Sequence, residues 1–88
     1  MTTDKLRSVL RFYREWIKQG WMIEPCQSND KPTHFGHLAW MCEQAEAFAT
    51  EHCDKAMRWL GYIQGVLVAR GYFKLTDVRT HSRTEGES

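Results

Sequence analysis

Six side chains of metal-binding or proton-transferring type, Cys26, His34, His37, Cys42, His52 and Cys53, fall between residues 26 and 53. His34 and His37, three residues apart, can share one face at the start of a helix. Structural zinc sites bring their ligands in paired blocks such as C-x-x-C or H-x-x-x-H. Only the His34–His37 pair comes near that form, and Cys42 fits a buried helical stripe better than a ligand set. Neither a metal nor any other cofactor is expected. For catalysis, Glu24, His37 and Cys26 are the imaginable bases and nucleophiles, but no spacing among them holds a base against a nucleophile. With only 88 residues there is also little volume for an enclosed pocket. The expectation is a protein that is not an enzyme.

Charge offers a second kind of chemistry. The formal net charge is only +1, yet residues 1–20 carry +3, residues 21–54 carry −5 and residues 55–88 carry +3. Arg7, Arg11, Arg14 and Lys18 recur at four-, three- and four-residue steps, one stripe along a helix. Such a stripe, with Arg79 and Arg83, could track nucleic-acid phosphates. The plainer alternative is a solvated face, or one turned toward the acids Glu43, Glu46 and Glu51, within the chain or from another subunit. There are four tryptophans, a residue type enriched in small cores and in binding hot spots. Trp16 and Trp59 fit a core. Trp40 and Phe12 lie off the buried stripes and are candidates for an interface or for packing under a loop.

The elements that position these groups are helical. Leu6, Val9, Leu10, Tyr13, Trp16 and Ile17 share one face of a first helix, capped by Thr2 or Thr3 and ended by Gly20 in a left-handed conformation. Residues 20–33 hold both prolines and the polar string from Gln27 to Lys31, a loop whose first part Trp21, Met22 and Ile23 would anchor. Whether the part from Glu24 to Lys31 binds anything or only connects stays open. A second helix is predicted from about Thr33 to Glu51, burying Leu38, Met41, Cys42, Ala45, Phe48 and Ala49. A third runs from about Asp54 to Arg70 and stops at Gly71. The short gap between the two predicts an antiparallel hairpin. Thr76 can cap a short fourth helix ending near His81, and residues 83–88 form a polar tail.

The third helix carries the strongest pattern. From Trp59 to Ala69 it is apolar nearly all round, which predicts burial on several sides, as a central helix or across a subunit interface. Gly61, Gly65 and Ala69 recur every four residues, where another backbone could approach closely. Two mid-helix glycines cost up to ~1 kcal/mol each relative to alanine, so close packing is the expected reason for them. The packing partner is either helix one or two, or a second copy of the chain in a homodimer. Gln64, in the same apolar run, needs a hydrogen-bond partner: its own symmetry mate or a backbone carbonyl. Arg58 is expected to pair with Asp54 or Glu51.

Length and composition bound what remains. A chain this short is one domain, taken as residues 1–82, and it buries only about 60–65% of its unfolded surface, so association would stabilise it. Its 42% hydrophobic and 26% charged content excludes a fully disordered chain. The longest nearly apolar stretch is too short for the ~20 residues of a membrane span, and the first residues show no signal-peptide core. Three cysteines are too few for a disulfide scaffold and suit a reducing compartment.

The run from Lys55 to Leu67, with its Arg58-Trp59-Leu60-Gly61-Tyr62-Ile63-Gln64-Gly65 block, resembles a signature of small proteins encoded by tailed bacteriophages and prophages. In those proteins an acidic helix with an apolar stripe precedes such a helix, and a short basic helix follows. The likeness covers His37–Phe48, Lys55–Gly71 and Leu75–Arg83, a little over half the chain. The family carries no established activity, so no functional residue transfers. The resemblance implies a phage accessory protein working in the bacterial host cytoplasm.

The expectation is therefore an all-α domain of three main helices, with a helix-two/helix-three hairpin and a short C-terminal helix. Its expected function is stoichiometric binding and modulation of a bacterial host protein, including countering host defence. A homodimer is expected through Gly61, Gln64, Gly65 and Ala69, with Arg7, Arg11, Arg14, Lys18 and Trp40 as partner-binding candidates. A nucleic-acid-binding regulator using the basic stripe, and an oligomer that sequesters a nucleotide, are the alternatives.

Overall fold

A computed structural model describes residues 2–21, 25 and 34–82. Four helices make up the fold: α1 (Thr3–Trp21), α2 (Phe35–Phe48), α3 (Cys53–Ala69) and α4 (Leu75–Ser82). The protein is all-α, as its periodicities predict. The loop from Glu24 to Lys31, apart from Pro25, and the expected tail at 83–88 lie outside the described residues, as does Cys26.

Each helix starts and stops for a local reason. Thr2 Oγ1 accepts the Lys5 amide at 3.1 Å and so caps α1. Gly20 does not end that helix, which continues to Trp21; the left-handed glycine among the described residues is Gly71, at φ 82°. There the chain closes α3 as a Schellman motif: the Tyr72 amide donates to the Leu67 carbonyl and the Gly71 amide to the Val68 carbonyl, both at 3.0 Å. His34 caps α2, its Nδ1 accepting the Gly36 amide at 3.1 Å, so the helix begins at Phe35; the expected start near Thr33 lies outside the described residues. Thr76 is not the cap of α4. Lys74 precedes the helix, and the Asp77 carboxylate reaches back to accept the Lys74 amide at 3.0 Å.

Packing follows the apolar stripes. Leu6, Val9, Leu10, Tyr13 and Ile17 of α1 meet Phe35, Leu38, Ala39, Met41, Cys42 and Ala45 of α2, and Ala56, Leu60, Ile63 and Leu67 of α3 close the core. Among the described residues sixteen buried apolar side chains share this interior, and Val78 of α4 is buried outside that cluster. The middle position belongs to α2, which packs against α1 on one side and α3 on the other. The expectation of a central α3 is thus corrected. Its core stripe occupies one side, while Met57, Gly61, Tyr62, Gly65 and Ala69 face outward. The α2–α3 hairpin is as expected, closed by the His52 amide donating to the Phe48 carbonyl at 2.8 Å. No described helix is long and apolar enough to cross a membrane.

Candidate functional site

The outward side of α3 and the adjoining edge of α4 carry exposed apolar side chains. Met57 is 41% exposed, Tyr62 39% and Leu75 55%. Between α3 and α4 runs an open groove of about 330 Å³, lined by Gly61, Gln64, Gly65, Val68, Ala69, Leu75 and Val78. A methyl group built on Gly61 or Gly65 would meet nothing within 4 Å. The expectation that this small-residue stripe packs on helix one or two is therefore wrong. Leu60, Ile63 and Leu67 make the contact with the core, and their side of α3 is the opposite one.

Gln64 stands at the floor of this groove and finds partners inside the chain. Its Nε2 donates to Tyr13 Oη at 3.2 Å and to the Val78 carbonyl at 3.5 Å, so of its two expected partners the backbone carbonyl is present. Tyr13 is wholly buried, and burial pushes its phenol up to about 12. Tyr13 Oη also lies 2.8 Å from His81 Nδ1, tying α4 to α1.

The basic stripe is arranged differently from a phosphate-tracking one. Arg11 Nη2 reaches Glu46 Oε1 at 2.8 Å and Arg14 Nη1 reaches Glu46 Oε2 at 3.0 Å, so one α2 carboxylate holds two of its four cations. Arg14 also contacts Glu15 at 3.2 Å. Arg7 is half-buried, its Nε shielded from solvent and unpartnered, and Lys18 is half-buried. Of the acids weighed as partners, Glu46 of the same chain is the one engaged.

Trp40 lies at the α2–α3 seam, half-buried, its ring 5.4 Å from His37 and 6.1 Å from Trp59. Lys55 Nζ sits 4.8 Å above the Phe48 ring and 5.5 Å from that of Trp59, a cation–π arrangement on the same seam. Phe12 stays largely exposed but touches the His81 ring at 4.9 Å. A second aromatic group gathers Trp16, Trp21, Phe35, Tyr72 and Phe73 at the other end of α1, with Trp21 stacked on Phe35 at 5.0 Å. The spacing of Trp16 pointed to the core but gave no sign of this cluster, whose members come from three segments.

The metal-type side chains are dispersed among these elements. Among the described residues no three His, Cys, Asp or Glu groups could share an ion. His34 caps α2, and desolvation lowers the His37 pKa. Burial pushes the Cys42 thiol up to about 12, which leaves it un-ionised and inert at neutral pH. Cys53 opens α3, accepting a contact from the Thr3 hydroxyl at 4.0 Å. An open hollow of about 510 Å³ lies at that helix start among Thr50, Glu51, Cys53, Lys55 and Arg58. Arg58 makes neither of its expected ion pairs, with Asp54 or with Glu51, among the described residues.

Comparisons of the chain with protein-family models, curated proteins and solved structures find no match.

Proposed function

We propose that the protein works by stoichiometric binding of a protein partner through the outward face of α3 and the groove between α3 and α4. One observation carries this reading: two glycines lie in the middle of a helix with open space where their side chains would be. Glycine there costs up to ~1 kcal/mol per site relative to alanine, and nothing among the described residues packs against either position to compensate for it. A partner backbone drawn close to Gly61 and Gly65 would. Val68 and Leu75 along the groove, with Met57 and Tyr62 exposed on the same helix as Val68, supply the apolar contact that such a helix-on-helix approach needs.

The setting we propose is that of a phage accessory protein acting in the bacterial cytoplasm on a host protein, including one of a defence system. Its support is the likeness of the Arg58–Gly65 block to small phage and prophage proteins. A second copy of the chain is the alternative occupant of the same face, favoured by the unfilled glycine stripe, and would make a homodimer. Nucleic-acid regulation through helix one is the weaker alternative, because Arg11 and Arg14 are already drawn to Glu46.

Affinity capture from nuclease-treated bacterial lysate tests the reading. Wild type should retain one protein in stoichiometric amount, and Gly65→Leu, verified as folded by circular dichroism, should lose it. Equal capture by both would sink the proposed face. Nucleic acid retained only when the nuclease is omitted would move the function to the basic stripe.

A further inference from the structure

Three helices meet at one buried hydroxyl. Tyr13 of α1 has no solvent exposure, and its Oη lies between Gln64 Nε2 of α3 at 3.2 Å and His81 Nδ1 of α4 at 2.8 Å. Gln64 Nε2 also faces the Val78 carbonyl, which can only accept, so that end of the amide is the NH2 group. Tyr13 oxygen therefore accepts from Gln64, and its hydrogen has His81 Nδ1 as acceptor. The arrangement that satisfies both groups therefore makes Nδ1 the bare nitrogen of a neutral imidazole. An imidazolium carries hydrogen on both nitrogens. Tyr13 oxygen would face two donors, and its own hydrogen would turn without an acceptor into the rings around it. A buried donor left unpaired weakens the state that buries it.

Among the described residues little else holds α4. It has eight residues, of which Val78 is buried at 6% exposure, and the His81 ring sits among Phe12 at 4.9 Å, Phe73 at 5.0 Å and Tyr13 at 5.5 Å. Among the described residues, the charged groups near the ring come from α1 and α4. From α1, Lys5 lines the hollow that His81 shares with Ser8 and Phe12. From α3 comes the uncharged Gln64. Within α4, Asp77 lies one turn before His81 but is exposed and bound to the Lys74 amide.

We propose that the Tyr13–His81 hydrogen bond is a proton-sensitive latch that docks α4 against α1 and α3 and so completes the α3–α4 groove. Docking is present while His81 is neutral and is lost when acid protonates the ring. Leu75 and Val78 form the α4 side of the groove, so undocking removes one wall. This control of binding rests on the groove being the binding face; the latch itself does not.

Amide NMR of the full chain, titrated from about pH 7.5 to about pH 5, reads the latch directly. The α4 resonances, residues 75–82, should move toward coil positions, with the docked-to-undocked ratio falling about tenfold, while those of α2 hold. Two variants remove the titration: Tyr13→Phe with His81→Phe keeps the ring cluster without either polar group, and His81→Asn offers an acceptor that does not protonate. Either should keep α4 docked at every pH; the second serves if the first does not fold. Wild-type α4 resonances that hold throughout, or a variant that responds as wild type does, would overturn the latch. The groove reading fails separately, if Gly65→Leu captures the same partner as wild type at pH 7.5, where α4 is docked.

Discussion

Replacing Gly61 and Gly65 by alanine together separates an empty α3 face from a filled one. A methyl group at either position meets nothing within 4 Å, so neither substitution carries a steric penalty in the chain as described. Both lie mid-helix within Cys53–Ala69, where alanine is favoured over glycine by about 0.8–1.0 kcal/mol per site. The gain comes mainly from the unfolded chain, which loses freedom that folding no longer has to remove. With both side chains directed to solvent, the two effects should add to about 1.5–2 kcal/mol. For a domain of this size that corresponds to a rise in Tm of about 6–16 °C. Thermal and urea unfolding followed by circular dichroism, at several protein concentrations, measure it. An unchanged or lower Tm would refute the reasoning, because the glycine surfaces would then already be occupied. A fall that deepens as wild-type concentration rises would identify a second copy as the occupant.

The shared carboxylate of Glu46 gives a graded result. Arg11→Ala should cost no more than about 0.5 kcal/mol, because that side chain is 55% exposed, while Arg14→Ala, at 22% exposed, should cost about 1–2 kcal/mol in urea unfolding. The burial of Tyr13 has a signed consequence at alkaline pH. Its phenol is raised from 10.0 to about 12 in the folded chain, so its contribution is full below pH 10 and is lost as pH climbs toward 12. Tyr13→Phe should flatten that alkaline decline in the pH profile of stability. The thiols should also divide: an exposed-thiol reagent at pH 8 should modify Cys53 in the native state and leave Cys42 unmodified until denaturant is added.

The helices and their core faces were legible because apolar residues recur at helical spacing. Leu6, Val9, Leu10, Tyr13 and Ile17 are buried as that spacing requires, and so are Leu38, Met41, Cys42 and Ala45. The same reasoning misplaced α3. A helix without a polar face looks surrounded, but Met57, Tyr62 and Gly65 are apolar or neutral and nevertheless face outward. Pattern alone cannot tell a face buried in the chain from one left uncovered by it. Caps were partly legible: Thr2 serves as expected, whereas the start of α4 depends on Asp77 folding back onto Lys74, a choice local geometry makes. Glu46 was one of three candidate acids, and selecting it requires the register of α1 across α2. The Tyr13–His81 contact joins residues 68 positions apart and left no periodic trace.

A photo-crosslinking amino acid placed at Tyr62, on the outward face of α3, tests the central claim most directly when compared with one placed at Gln44, exposed on α2. Irradiated in bacterial cells, the Tyr62 variant should yield one discrete adduct of protein mass, and the Gln44 variant should yield none. A partner crosslinked from Gln44 and not from Tyr62 would contradict the account, because binding would then use a different face of the bundle.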